Sequence, residues 1–350
     1  VTEFTTERLG FIGRGRSTAD PLALATSEPL ARVHGNVLDP AMSLRTVLRV
    51  APGESVSVRY VLAAGDDEAR LRQDVEGLRA TPLRAELARP TIETTLDPAL
   101  SLATAQGKLI RQLTQGIGAA PAAVRARRPA YASATTPTSA EPLQFFNGYG
   151  GFSQDGREYV IRVGCDAQRR PQLPPLPWTN VIANPKFGCL VSESGAGNAW
   201  SGNSREHRLT PWANDPVSDP HGDAIYVRDV ASGEFWCPTP GPAPLGADVE
   251  VRHGLGYTTW RQQRDGLEHE LTLFVPPEDP LRVMRLKIRN TGQHPRRLAV
   301  YGYNRWVLGS TPEFTRTTVR SEFSPAFQAV MAQNEAPPDG HACIAFAATD

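Results

Sequence analysis

Glu268-His269-Glu270-Leu271-Thr272-Leu273-Phe274-Val275 and Leu281-Arg282-Val283-Met284-Arg285-Leu286-Lys287-Ile288 decide the fold. Each is short, alternates apolar with polar side chains, and is bounded by Gly, Pro or Asp, the pattern of a strand with one face buried. In the second stretch Leu281, Val283, Met284, Leu286 and Ile288 slip by one residue, which predicts a β-bulge. Working outward, Glu158 to Val163, Ala224 to Val227, Val249 to His253 and Leu298 to Tyr303 repeat the signal. Several such strands with no helical pattern between them predict a mainly β chain built as an antiparallel β-sandwich.

Toward the amino terminus, Val56, Val58, Tyr60 and Leu62 alternate with Ser55, Ser57, Arg59 and Val61 after the turn Ala51-Pro52-Gly53-Glu54. A hairpin is expected to join them to Arg45-Thr46-Val47-Leu48-Arg49-Val50. The period then changes, because Leu71, Val75 and Leu78 lie four and three apart among charges and predict a helix, as does a second stretch from Leu96 to Leu113. From Gly116 to Pro142 the chain is rich in Ala, Pro, Ser and Thr, and Pro121, Pro129, Pro137 and Pro142 bar a long helix. This stretch reads as a linker.

At 350 residues the chain is long enough for two folded units. Lys+Arg and Asp+Glu number 37 each, so no net charge draws the whole chain to nucleic acid or an anionic membrane, and a neutral partner such as a sugar fits. Cys165, Cys189, Cys237 and Cys343 form no CxxC pair, and buried free thiols are expected. No apolar run approaches the roughly 18 to 20 residues of a membrane span, so the segment reads as soluble. The start, Val1-Thr2-Glu3-Phe4, is no signal peptide, and both ends read as cut from a longer chain.

The densest unusual region is Trp178 to Asp219, with Trp178, Trp200, Trp212, Gly195-Ala196-Gly197 and Asn203-Ser204-Arg205-Glu206-His207-Arg208. Flat aromatics beside Asn, Asp, Glu and Arg suit a glycan, and large sandwiches also bury tryptophans, so composition leaves both readings open. Gly13-Arg14-Gly15-Arg16 lacks the glycine spacing of a phosphate loop and reads as a basic turn. Asn214-Asp215-Pro216 and Asp219-Pro220-His221-Gly222-Asp223 depart from calcium-loop spacing and read as turns. The histidines form no metal-ligand pair, so no metal and no cofactor is expected. Glycoside chemistry needs a positioned acid, and the spacing of Glu193, Glu206, Asp215, Asp219 and Asp229 singles out no pair.

These strings carry a resemblance: Phe146-Asn147-Gly148-Tyr149-Gly150-Gly151-Phe152 through Asp155-Gly156-Arg157-Glu158-Tyr159-Val160-Ile161, Pro177 to Asn184, Asn203-Ser204-Arg205 followed by Leu209 to Asp219, and Val251-Arg252-His253-Gly254-Leu255-Gly256-Tyr257. Over residues 143–335 they resemble the amino-terminal sandwich of the cellobiose-phosphorylase family (glycoside hydrolase family 94), in the version carried by cyclic β-1,2-glucan synthases. Phe11-Ile12-Gly13-Arg14-Gly15-Arg16 and Gly35-Asn36-Val37-Leu38-Asp39-Pro40 are similar to the end of a preceding sandwich in the same synthases. The resemblance implies a galactose-mutarotase-like supersandwich over 143–350, preceded by the carboxy-terminal part of another β-sandwich over 1–78 and a helical linker over 79–142.

It further implies a parent that makes or phosphorolyses β-glucan, attached to a bacterial inner membrane or, alternatively, cytoplasmic. The general acid and phosphate site would sit in a helical toroid of the parent chain, leaving no catalytic residue here. Linear β-1,2-glucan, that toroid and a second copy in a homodimer are the implied partners. In related phosphorylases a loop of this sandwich reaches toward the active site of the other copy in the dimer, and by position the loops Trp200 to Arg208 and Glu313 to Arg316 are the matching segments. Candidate glycan contacts are therefore Trp200, Asn203, Arg205, Arg208, Trp212 and Arg316. Met331-Ala332-Gln333-Asn334-Glu335-Ala336 departs from the family's usual string. A β-1,2-oligoglucan phosphorylase, a stand-alone carbohydrate-binding module and a structural spacer are the alternatives.

Overall fold

The computed structural model describes residues 3–13, 17–35, 37, 40–65, 67–80, 141–215, 218–336 and 343–349. Its strands in chain order are β1 (Glu3–Glu7), β2 (Pro40–Val50), β3 (Ser55–Gly65), β4 (Gly150–Phe152), β5 (Glu158–Cys165), β6 (Pro171–Gln172) and β7 (Thr179–Ala183). There follow β8 (Phe187–Ser192), β9 (Gly197–Ser201), β10 (Asp223–Asp229), β11 (Phe235–Trp236), β12 (Val249–Gly254) and β13 (Tyr257–Arg264). The last are β14 (Leu267–Phe274), β15 (Leu281–Asn290), β16 (Arg296–Arg305), β17 (Val319–Ser324), β18 (Ala329–Asn334) and β19 (Cys343–Thr349). Among the described residues four helices accompany them: α1 (Arg8–Ile12), α2 (Leu22–Ala25), α3 (Glu68–Ala80) and α4 (Pro312–Thr315).

An 11-stranded antiparallel sheet runs β17-β18-β19-β3-β15-β14-β13-β12-β5-β4, with β6 on β5, and a five-stranded sheet runs β1-β2-β16-β10-β11. A third sheet, β7-β8-β9, adds its inner face to the same core. Leu62, Val251, Trp260, Leu271 and Leu286 of the large sheet meet Leu44, Val227 and Val300 of the five-stranded one, with Phe187, Cys189 and Ala199 of the third. The antiparallel, mainly β sandwich expected from the alternation is what the residues form.

Three expectations need correction. The turn Ala51 to Glu54 forms, with the Glu54 N–H donating to the Ala51 carbonyl at 3.0 Å, but no hairpin follows. β2 pairs β16, and β3 pairs β15 and β19, so the turn carries the chain from one sheet to the facing one. Alternation identifies a strand but not the sheet it joins. For the same reason residues 1–78 do not close a separate sandwich: the described residues within 1–80 and 141–350 form one compact unit, and β3 lies inside the large sheet.

The predicted bulge is also absent, because β15 keeps an unbroken register with both neighbours. Its apolar slip has another cause. Met284, Leu286 and Ile288 face the sandwich core, whereas Leu281 and Val283 face a second cluster outside the sheet with Val61, Phe346, Leu71 and Val75. α3 lays Leu71 and Val75 on that outer face, as the helical spacing predicts. Its start is fixed by Asp67, whose Oδ1 accepts the N–H of Ala69 at 2.8 Å and of Arg70 at 3.3 Å. The expected Leu96 to Leu113 helix and most of the linker fall in 81–140, outside the described residues.

Candidate functional site

β8 and β9 form a hairpin in which Gly188 faces Trp200 across the strands. The indole lies over Gly188 so closely that a Cβ there would stand 2.4 Å from its Cζ2. Trp200 is therefore laid against the β8 backbone and remains half-buried on the outer face of the sheet. The chain then turns. Asn203 Oδ1 accepts the N–H of Arg205 at 2.9 Å and of Glu206 at 3.0 Å, and its carbonyl accepts His207 N–H at 3.1 Å. That oxygen holds the turn, and Arg205 pairs with Glu206 at 3.1 Å in solvent.

Arg208 joins this loop to the second one. Its N–H donates to the Gly309 carbonyl at 3.0 Å, and Gly309 N–H donates back at 3.1 Å. The guanidinium donates to the Ser204 carbonyl through Nε and to the Ser310 carbonyl through Nη1, each at 3.1 Å. Partial burial pulls its pKa below the usual arginine range, against the opposing pull of Glu206. Two loops more than 100 residues apart in sequence, |i−j| = 102 at the Ser310 bond, are thus tied by one side chain.

On the far side, Thr315 is buried and donates to the Thr311 carbonyl at 3.2 Å, its methyl packed where Gly309 has no Cβ. Pro312 opens α4, and Arg316 N–H returns to the Pro312 carbonyl at 3.0 Å. This anchoring leaves Phe314, 75% exposed, and Arg316 projecting from a fixed turn. Trp212 is half-buried and follows Leu209 and Thr210, both buried, with Thr210 Oγ1 accepting the Ala199 N–H at 2.9 Å. Trp178 stands apart from this constellation, edge-on to Tyr149 and Tyr159.

The candidate carboxylates are each held by different partners. Asp229 takes Arg296 at 2.6 Å, Asp215 takes the Ser218 hydroxyl at 2.5 Å, and Asp219 takes the Ser192 and Ser194 hydroxyls at 2.7 and 2.5 Å. Glu193 accepts the Trp178 N–H at 2.7 Å, and burial pushes its pKa up to about 7. It faces the core rather than the exposed loops, its own carbonyl accepting the buried Trp260 indole N–H at 2.9 Å. Among the described residues no three His, Cys, Asp or Glu side chains gather as metal ligands. Cys189 and Cys237 are buried thiols, and burial pushes Cys189 up to about 12. Cys165 is half-exposed, and no helix among the described residues is long and apolar enough to cross a membrane.

What this arrangement can do is present an indole face, an exposed phenyl ring and a guanidinium from braced loops, a surface suited to sugar C–H faces and hydroxyls. Gly188 and Phe314 extend the set beyond the residues composition singled out; the glycine inside a strand pattern was the available signal for the first.

Comparison with known proteins places this geometry in context. Cyclic beta-(1,2)-glucan synthase NdvB of Rhizobium meliloti (strain 1021) is 43% identical over 209 residues, 59% of this chain and 7% of that protein. N,N'-diacetylchitobiose phosphorylase of Vibrio furnissii is 35% identical over 158 residues, 44% of this chain and 19% of that one. Solabiose phosphorylase of Paenibacillus borealis is 29% identical over 164 residues, 46% and 20% of the two chains. The chain thus spans a fifth or less of these relatives. Residues 1–81 and 157–350 match the glycosyl hydrolase 94 supersandwich domain, and with both matched segments woven into the same sheets, the chain belongs to that family.

Proposed function

We propose that this chain is the carbohydrate-positioning and scaffolding portion of a β-1,2-glucan synthase or phosphorylase, acting in glucan synthesis and chain-length control. Linear β-1,2-glucan is its ligand, and the reacting groups belong to a helical toroid elsewhere in a parent chain attached to the bacterial inner membrane. The observation that carries this reading is the Arg208 tie, which holds the Trp200 turn and the Phe314–Arg316 turn together as one presenting surface. The likeness to a glucan synthase and two phosphorylases supports the substrate class.

In the intact parent enzyme, Trp200→Ala and Arg316→Ala are expected to lower glucan phosphorolysis several-fold and to shift product ring size, since losing an aromatic contact costs about 1 kcal/mol. Unaltered rates and ring sizes in both variants would refute glucan positioning. A scaffolding role as a dimerisation unit has its own support in Phe145, Phe146, Tyr149 and Phe152, all exposed within eight residues of sequence. Sedimentation of the chain with and without Phe145→Ser and Phe146→Ser tests it, self-association lost in the variant being the expected result.

A further inference from the structure

The outer face of the five-stranded sheet carries more buried positive charge than its protein partners neutralise. Arg45 on β2 stands directly across from Tyr301 on β16, and Arg228 on β10 pairs with Ala299, two positions along the same strand. Arg228 is therefore a diagonal neighbour of Tyr301, within reach of a long side chain. The guanidinium carbon of Arg45 lies 5.4 Å from the Tyr301 ring centre. Exposures are 6% for Arg45, 5% for Arg228, and 0% for both Tyr301 and Ser43.

Over this face runs a strap, residues 17–30, held through its carbonyls. Thr18 O accepts the Tyr226 hydroxyl at 2.7 Å, Leu24 O accepts Arg228 Nε at 2.9 Å, and Glu28 O accepts Arg45 Nη1 at 3.4 Å. Arg45 also pairs with Glu3 at 2.7 Å. Arg228 has no carboxylate partner among the described residues. Three buried polar atoms find no protein partner: Arg228 Nη1, Arg45 Nε and the Ser43 hydroxyl. Burial pushes the Tyr301 hydroxyl up, against the opposing pull of Arg45 and Arg228; it accepts from the Arg45 side chain and keeps its own proton to donate.

A buried charge without a counter-ion is strongly unfavourable, and so is a buried donor without an acceptor. Arg45 and Arg228 flank Tyr301 on this face, and one kind of ligand repairs both defects. We propose that Arg45, Arg228 and Tyr301 bind a small oxyanion beneath the strap. Its chemistry is that of phosphate, sulfate or a simple carboxylate: one negative group with several acceptor lone pairs, matched to guanidinium and hydroxyl donors. The strap's three carbonyl anchors favour a free ion over a macromolecular chain.

The test is thermal unfolding of the 350-residue chain in chloride, phosphate, sulfate and acetate at equal ionic strength, each oxyanion titrated to saturation. A saturable rise of several degrees is expected with at least one oxyanion and not with chloride, because a ligand that binds only the folded state raises its midpoint by mass action. The tetrahedral and planar arms distinguish phosphate-like from carboxylate ligands. In Arg228→Met the rise should vanish, and in Tyr301→Phe, which keeps the ring, the apparent Kd should weaken several-fold. General salting-out by sulfate or phosphate does not saturate and would persist in the variants. Equal midpoints in all four salts, or a full saturable rise in Arg228→Met, overturn the proposal. Should Arg228→Met fail to fold, titration calorimetry on Tyr301→Phe decides, undiminished affinity being the refuting result.

Discussion

At Gly188 a missing side chain is what gives Trp200 its place. The Cβ of an alanine would sit 2.4 Å from the indole, so Gly188→Ala must tip the ring off β8. We expect a loss of about 1 to 3 kcal/mol, the usual cost of overpacking, together with a changed tryptophan emission spectrum. Unchanged emission at unchanged stability would mean that the ring is not seated there. Buried titrating groups set a second residue-scale expectation. His253 is held down to about 4 and His269 to about 3, chiefly by burial, and His221 is lowered for the same reason. Below pH 6.5 the unfolded chain protonates all three and the fold does not, so stability is lost as pH falls through that value. Glu193 acts oppositely: with a folded value of about 7 against an ordinary 4.5, its contribution is lost as pH rises between the two. Three histidines outweigh one glutamate, so denaturant midpoints should climb from pH 4.5 to 6.5. Glu193→Gln, which keeps an acceptor for the Trp178 N–H, should steepen that climb and gain up to about 3 kcal/mol above pH 7. A variant whose pH profile superimposes on that of the parent chain would remove Glu193 from the account. None of these groups could be singled out from spacing, because a carboxyl's burial depends on which segments fold over it.

Elements were legible in proportion to how local their cause is. α3 follows from Leu71 and Val75 one helical turn apart and from Asp67 at its start, all within nine residues. The strands follow equally well from alternation. Their partners do not: the turn Ala51 to Glu54 fits a hairpin, yet the Glu54 carbonyl accepts Asn290 N–H at 3.1 Å and Gly53 N–H donates to the Asn290 carbonyl at 2.8 Å. That distant strand end captures the turn. The two-sided burial of β15 mimics a bulge in the sequence for a related reason, since α3 covers its outer face from a remote part of the chain. The same contrast governs the candidate loops. Composition found Asn203, Arg205 and Arg208, whereas geometry assigns the Asn203 carboxamide oxygen to its own turn and Arg208 to bracing. Arg208→Ala removes two bonds from a charged donor, each worth about 1.5 to 3 kcal/mol. Amide exchange in residues 201–208 and 309–316 should accelerate at least about tenfold, the rest of the sandwich staying protected. Acceleration confined to the first loop would show that the second is anchored by Thr315 alone.

At the scale of the molecule, the division expected at residues 78 and 142 conflicts with how the sheets are assembled. β3 lies between β19 and β15, and β2 lies between β1 and β16. Removing residues 1–80 would split the large sheet into two pieces and strip one side of β16. It would also uncover Val283 and Phe346 by taking away α3. Bare apolar edges recruit other chains, so residues 143–350 expressed alone should aggregate or remain unfolded. Supplying residues 1–80 in trans should restore a folded complex, because the contacts it makes are ordinary strand ladders with fixed register: Leu48 opposite Leu298, Val58 opposite Leu286, Ala63 opposite Phe346. The readout is the sedimentation coefficient and far-ultraviolet spectrum of 143–350 with and without the amino-terminal piece. A monomeric, cooperatively unfolding 143–350 would restore the two-domain division and make the amino-terminal strands an accessory. Aggregation relieved by 1–80 would mean that any loop surface built on β8, β9 and α4 depends on strands from the far end of the chain.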